Sequence, residues 1–349
     1  MPISIRNLLT LVALLLAMAG VMLYIVPAGR AQAHVAVYTS VDAEYALPLF
    51  KRFTDETGIR VIPRTDDEGS KTTAMADRLL QMKDSPDGDV FWNSELSQTQ
   101  SLAERGVFEP YVSPSAAGIP AAYKDSEGRW TGFGCRVRVL IYNTQRVKPG
   151  ELPRTLEDLA EPRWKGRFVV AKPLYGTTRS HLVSLVAELG EEPAFNLFRA
   201  WRRNGLVVAD SNGDVRNRVA EGIFDIGLTD TDDVFSAMDR NKPVDYVVPD
   251  QTRQWRGAFL IPNTVALLKN GPNPRHARAF IDFLLRPETE AWLAENGARQ
   301  IPVRPMDVKI PERLKGLSPA AVDLAKLARQ PPDLPERIKD VLLARDEKP

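Results

Sequence analysis

The sequence predicts an α/β protein with helices on both faces of its sheet, and three observations carry that prediction. Short apolar runs such as Val35–Tyr38, Asp89–Trp92 and Phe168–Ala171 alternate with amphipathic helical stretches along most of the chain. Glycines stand where the helical patterns stop, as at Gly58 and Gly106. The first run, its helix and the second run fit within about 30 residues, the size of one β-α-β unit, so the first two strands are expected to be parallel.

Composition agrees with an ordinary globular chain. Of 349 residues, 26% are charged and 44% hydrophobic, which excludes a disordered, collagen-like or disulfide-stapled chain. Lys and Arg number 46 against 45 Asp and Glu, so the basic excess of a nucleic-acid binder is missing. Cys135 is the one cysteine and excludes an intramolecular disulfide.

The N-terminus carries a positive Arg6, an uncharged stretch from Asn7 to Gly29 and a small-residue exit ending at Ala33. These are the parts of a secretory signal peptide, and the stretch is also long enough to be a retained membrane anchor. In either case the chain from residue 34 onward is expected outside the cytoplasm, in the periplasm, free after cleavage or tethered. Residues 1–33 hold two arginines and no acid, so the remaining chain has a formal charge of −1.

The elements follow in order. Val35–Tyr38 is a strand, and Tyr45, Leu49 and Phe53 mark one face of a helix in which Pro48 fits only near the first turn. Ile59–Ile62 is a strand, 74–82 a helix, Asp89–Trp92 a strand and 96–104 a helix. Arg136–Tyr142 is β-rich. Strand and helix then alternate through Phe168–Ala171 and 178–189, Val207–Ala209 and 214–221, and Asp225–Leu228 and 232–238. Phe259–Ile261 and Thr264–Leu268 read as two strands, and 274–285 as a helix. From Pro302 the chain is rich in proline, with short helices expected near 319–328 and 335–343.

Ligands of open α/β sheets collect at the carboxyl ends of strands, which selects five loops. Thr39 and Ser40 end the first strand and either bind a polar ligand or cap the next helix. Glu68 lies in an acidic run, Asp66–Glu68, that either helps hold a hard cation or is solvated surface. Trp92, with Glu95 close behind, either stacks on a ligand or fills core. Tyr175, Thr177 and Thr178 surround a Gly-Thr-Thr turn at a helix start, suited to an anion. Asp230, Asp232 and Asp233 place three carboxylates in four residues at a strand end, where capping needs one acid. Such a cluster needs a cation, an arginine or a proton to relieve it, and Arg136, Arg138 and Arg256 are candidates. Enzyme signatures are missing: there is no G-x-S-x-G, Walker A or H-E-x-x-H pattern and no zinc spacing, so no catalytic residue and no required cofactor is expected. His34, His181 and His276 read as structural.

The chain resembles the ferric-iron-binding type of periplasmic ABC transporter solute-binding protein. Val37–Ser40, Phe53–Val61, Gly128–Phe133, Val139–Thr144, Trp164–Arg167, Ile261–Leu267, Phe280–Leu285 and Pro287-Glu288 carry the resemblance, which spans roughly residues 35–305. It implies a two-lobed type II periplasmic-binding-protein fold with strands crossing a hinge and a ligand cleft between the lobes. The implied lobes are 34–130 with 262–305, and 131–261, followed by a tail over 306–349. It implies a monomer that captures Fe3+ or a related small ligand by lobe closure and delivers it to an ABC permease in the inner membrane. Ferric members use a His and an adjacent tyrosine pair; Asp232-Asp233 stand where that pair is expected, which makes them the metal ligands here, with an anion beside the metal. The alternatives are a cationic organic solute, such as a polyamine or aminophosphonate, and a membrane-anchored sensing module.

Overall fold

The computed structural model describes residues 32–65, 71–251, 256–296, 299–323, 326–327 and 330–344. The signal-or-anchor segment and Glu68 lie outside these residues. No helix among the described residues is long and apolar enough to cross a membrane.

The strands are β1 (His34–Thr39), β2 (Arg60–Arg64), β3 (Val90–Asn93), β4 (Phe108–Glu109), β5 (Thr131–Asn143), β6 (Phe168–Ala171), β7 (Val207–Ala209), β8 (Ile226–Asp230), β9 (Val244–Val247) and β10 (Leu260–Leu268). The helices are α1 (Ala43–Thr57), α2 (Lys71–Gln81), α3 (Leu96–Glu104), α4 (Gly176–Leu189), α5 (Glu191–Arg203), α6 (Asn212–Ala220), α7 (Thr231–Asp239), α8 (Pro274–Leu284), α9 (Pro287–Glu295) and α10 (Leu334–Leu343). β1 pairs in parallel with β2 and β3, as the β-α-β spacing requires. In the other lobe β6 pairs in parallel with β7 and β8.

Strand β5 runs from one lobe into the other, and the chain entering β10 returns beside it. The first half of β5 pairs with β10, and its second half pairs with β8 and β9. β10 is a single strand rather than two, with its register shift between Pro262 and Asn263. Opposite that shift, Gly134 is the extra residue of β5 and takes the left-handed conformation, φ 49°. A Cβ there would lie 2.6 Å from the Gln300 side chain, so both conformation and space ask for glycine. Asn263 Nδ2 donates to the Gly134 carbonyl at 2.9 Å and to Gln300 Oε1 at 2.7 Å, which holds the bulge.

Each lobe has its own apolar interior. Phe50, Phe53, Trp92, Phe133 and Phe280 pack together in the first. Leu140, Trp164, Phe168, Phe198 and Trp201 do so in the second. The described part of the tail is no loose wrap: Leu327, Leu334, Ile338 and Leu342 are buried in that second core. Pro48 stands in the second turn of α1, beyond the expected limit; it is exposed, while Leu49, Phe50 and Phe53 of the same helix are buried and hold it in place.

Candidate ligand cleft

Strand β8 ends at Asp230, and α7 begins at the next residue, so the three carboxylates fall at a strand's carboxyl end. They face a cleft of about 1070 Å3, counting its mouth. Ser40, Asp42, Tyr45 and Ser94 of the first lobe line one wall; Lys172, Tyr175, Thr177, Thr178, Asn212 and Arg216 join the aspartates on the other.

Register explains the relief of the acids. Arg138 of β5 lies directly opposite Asp230 of β8 and donates to Oδ1 at 2.7 Å. Thr177 Oγ1 donates to Oδ2 of the same carboxylate at 2.6 Å, and Asn212 Nδ2 does so at 3.2 Å. Asp230 is thus held on both oxygens and acts as a fixed floor. Arg136 lies two residues back on the same face of β5. Its Nη1 donates to Asp232 Oδ2 at 3.1 Å, and its Nη2 donates to the Ser94 carbonyl of the first lobe.

Asp232 and Asp233 are less well matched. Asp232 Oδ1 is buried without a hydrogen-bond partner. Burial pushes this carboxyl up, Arg136 opposes, and the charges of Asp230 and Asp42 push it further. Asp233 accepts from Thr229 Oγ1 at 2.7 Å and has Arg216 at 3.6 Å. Burial and the neighbouring Asp232 and Asp230 push it up to about 7. One oxygen from each of the three aspartates lies within 4.8 Å of the others, close enough to share one cation. Across the cleft the Tyr45 phenol is pushed up by burial and then by Asp232.

Several expected site residues sit elsewhere. Trp92 is 0% exposed and packs edge-on against Phe50 and beside Phe133 and Phe280, so it fills core and touches no cleft. Thr39 is buried beneath the loop, where its hydroxyl accepts from the Val41 amide at 3.1 Å. Ser40 does reach the cleft, but its hydroxyl donates to Asn93 Oδ1 at 2.6 Å and so also ties the first two cleft loops together. Glu95 caps α3 through the Ser97 and Gln98 amides, at 2.7 and 2.9 Å, and also accepts from Ser180 of the second lobe. Arg256 pairs with Glu157 at 2.7 Å and with Asp250 at 3.1 Å, away from the cleft, so it relieves a different pair of acids. Tyr175, Thr177, Thr178 and Arg136 line the cleft. Tyr45 and Arg216 are cleft residues that sequence alone did not single out, whereas Ser94 and Asn212 belong to strand-end loops that it weighed without choosing them. The helical spacing of Tyr45 matches a core residue, and the loop Ser211–Asp214 carries the same helix-start signal as Gly176–Thr178.

The sequence profile of the bacterial extracellular solute-binding proteins matches residues 89–323. The chain belongs to this family. Solute-binding proteins of this kind are transport components rather than an enzyme family. Among curated relatives, "Iron uptake protein A1" of Synechocystis is 28% identical over 273 residues, which is 76% of this chain and 74% of the relative. The "Fe(3+)-binding periplasmic protein" of Serratia marcescens is 25% identical over 321 residues, 90% and 92% of the two chains. Iron-bound HitA of Pseudomonas aeruginosa superposes with a TM-score of 0.79 at 22% identity, covering 89% of this chain and all of that one, and shares the two-lobed fold.

Proposed function

We propose that this solute-binding protein is the extracytoplasmic receptor of an ABC importer and that its cargo is ferric iron, taken with or without an accompanying anion. The observation that carries the reading is the aspartate cluster: three carboxylates within 4.8 Å, one oxygen of Asp232 buried and unmatched, all in a cleft between two lobes. Fe3+ is a hard cation that favours carboxylate and phenolate oxygens, and Asp232 and Asp233 would hold it with Tyr45 or Tyr175 within reach of the same cleft. The starts of α4 and α6 present backbone amides and the Ser211 hydroxyl, which suit an anion beside the metal, while the Thr177 and Thr178 hydroxyls donate to Asp230 and Asn212. Capture proceeds by closure of a lobe of residues 34–130 and 262–305 onto a lobe of 131–261 about the β5–β10 crossing, and release to the permease by reopening. The iron-named relatives support this reading, and the N-terminal export pattern supports a periplasmic location, where we take the receptor to act as a monomer.

A second reading has its own support. Arg136 and Arg216 already stand 3.1 and 3.6 Å from Asp232 and Asp233, so much of the negative charge is met without a metal. A zwitterionic organic solute, such as an aminophosphonate, would place its ammonium on the aspartates and its anion on the two helix starts. Native mass spectrometry and elemental analysis of protein purified from its own host separate the two. One equivalent of iron, retained by titration with ferric citrate, is expected. An organic mass without iron would replace the first reading with the second.

A further inference from the structure

A second cavity, of about 620 Å3 counting its mouth, lies in the second lobe under residues 320–323 and 326–327. Its roof is fastened: the Ala258 amide donates to the Ser318 carbonyl at 2.7 Å, and the Ala320 amide donates to the Ala258 carbonyl at 2.8 Å. Gly257, at φ 90°, makes room for that approach, since a Cβ there would lie 2.7 Å from the Ser318 oxygen. One helix serves both places, because Thr177 and Thr178 at the start of α4 line the cleft while His181, Ser184 and Glu188 line this cavity.

Four of the lining side chains each keep a buried polar atom without a hydrogen-bond partner: His181 Nδ1, Ser184 Oγ, Asp250 Oδ1 and Arg256 Nε. His181, Ser184 and Asp250 are only 5%, 8% and 2% exposed, so bulk water does not meet these needs. The charge of Arg256 is already engaged, by two bonds to Glu157 at 2.7 and 2.9 Å and a third to Asp250 at 3.1 Å. The other charged lining side chains are the acids Glu188, Asp250 and Asp323 and the base Lys326, so the lining keeps a net negative charge even with Arg256 counted. Phe259, stacked on His181 with ring centroids 4.8 Å apart, forms an aromatic wall, and Leu185 and Leu327 add apolar surface.

We infer that this cavity is a second ligand site, separate from the cleft, for a small organic ammonium with an apolar body. The ammonium sits against Asp250 and Glu188, and the body lies on Phe259, Leu185 and Leu327. The electrostatics agree: burial pushes the Asp250 carboxyl up to about 6 and also raises Glu188, and a cation between them relieves both. His181, kept neutral by burial and by Arg138 and Arg256, presents Nδ1 without a competing positive charge.

The test uses 2-phenylethylamine as the probe, with 2-phenylethanol as its uncharged counterpart of nearly the same shape. Calorimetry on the unaltered protein should show the amine binding at least about tenfold more tightly than the alcohol, the factor expected for one charge-assisted contact. The amine should also shift the His181 ring resonances. Asp250→Asn should remove that preference, and Asp232→Asn in the cleft should leave it unchanged. Equal affinity for amine and alcohol, no heat from either, or loss of amine binding in Asp232→Asn overturns the inference. The amine–alcohol comparison repeated in Asp232→Asn, where the cleft's own ammonium site is weakened, decides the matter even where Asp250→Asn fails to fold.

Discussion

The two ends of strand β8 carry acids of opposite character. At its start, Asp225 accepts from Arg146 Nε on one oxygen and from Arg167 Nε on the other. Burial alone would raise this carboxyl, but the two guanidinium bonds outweigh it and hold it below the usual carboxylate range. At the far end, Asp232 and Asp233 are raised, and one oxygen of Asp232 has no partner. The same residue type is thus saturated where the strand begins and left wanting where it ends. The carboxyl end is where an open α/β sheet leaves a crevice for ligands, so we propose that unmet charge there serves binding and matched charge at the start serves stability.

The largest expected effect tests that division directly. Asp232→Asn combined with Asp233→Asn should weaken ferric binding by roughly a hundredfold or more, since both ligands of the proposed site go at once. The urea midpoint should change little, because relief of two carboxyls raised by burial is offset by the charge pairing that Arg136 loses with Asp232. A lower midpoint with unchanged affinity would make these acids structural and erase the contrast with Asp225.

Asp225→Asn is the mirror experiment. It removes the charge that two arginines share. Both arginines are more than a third exposed and can turn to water, which limits the cost to about 2 kcal/mol in urea unfolding. Ligand affinity should not move. A matching loss of affinity would show that the two ends of β8 act as one unit.

The ends should also answer pH in opposite directions. Asp233 has a folded value near 7, above its unfolded one, so the folded protein holds the extra proton between about 4 and 7. Its contribution to stability therefore falls as pH rises through that window, by up to about 1.4 kcal/mol per pH unit. Asp225 is lowered, so its contribution is present above the unfolded value and is lost as pH falls below about 4. Urea midpoints of the ligand-free protein from pH 3 to 8 should reveal both limbs. Asp233→Asn should make the upper limb shallower, the raised Asp232, Asp250 and Glu188 keeping the rest, and should leave the lower limb as it is.

How much of this was legible follows from what each feature depends on. Period and punctuation are local, so the alternation of strands and helices and the β-α-β start could be read directly. The aspartate cluster was visible because three acids in four residues exceed any capping need. Its partner arginines were legible as types, but only the register of β5 on β8 selects Arg138 and Arg136 and sends Arg256 to Glu157 and Asp250. Trp92 follows a strand in the way a stacking residue would, yet whether its ring meets ligand or Phe50 depends on how α1 packs, which no local pattern states. β10 read as two strands because Pro262 interrupts the pattern, and the bulge at Gly134 that absorbs the interruption lies on another strand.

The smallest predicted effect concerns the edge where the lobes meet. Ser180 of α4 donates to Glu95 Oε2 and lies 2.9 Å from Ser97 Oγ, so one buried hydroxyl spans from the second lobe to the first. Glu95 would not be stranded by losing it, since the same oxygen accepts from the Ser97 amide at 2.7 Å and the Ser97 hydroxyl at 2.6 Å. Ser180→Ala therefore removes one hydrogen bond of about 1 kcal/mol that exists only with the lobes together. Ligand binds the closed form, so apparent affinity should weaken roughly fivefold, chiefly through faster release. Solution scattering of the ligand-free variant should show a larger radius of gyration, while the urea midpoint stays put because neither lobe's core is touched. Unchanged release and unchanged scattering would mean that this edge stays joined when the cleft opens, and the moving boundary would then have to run elsewhere.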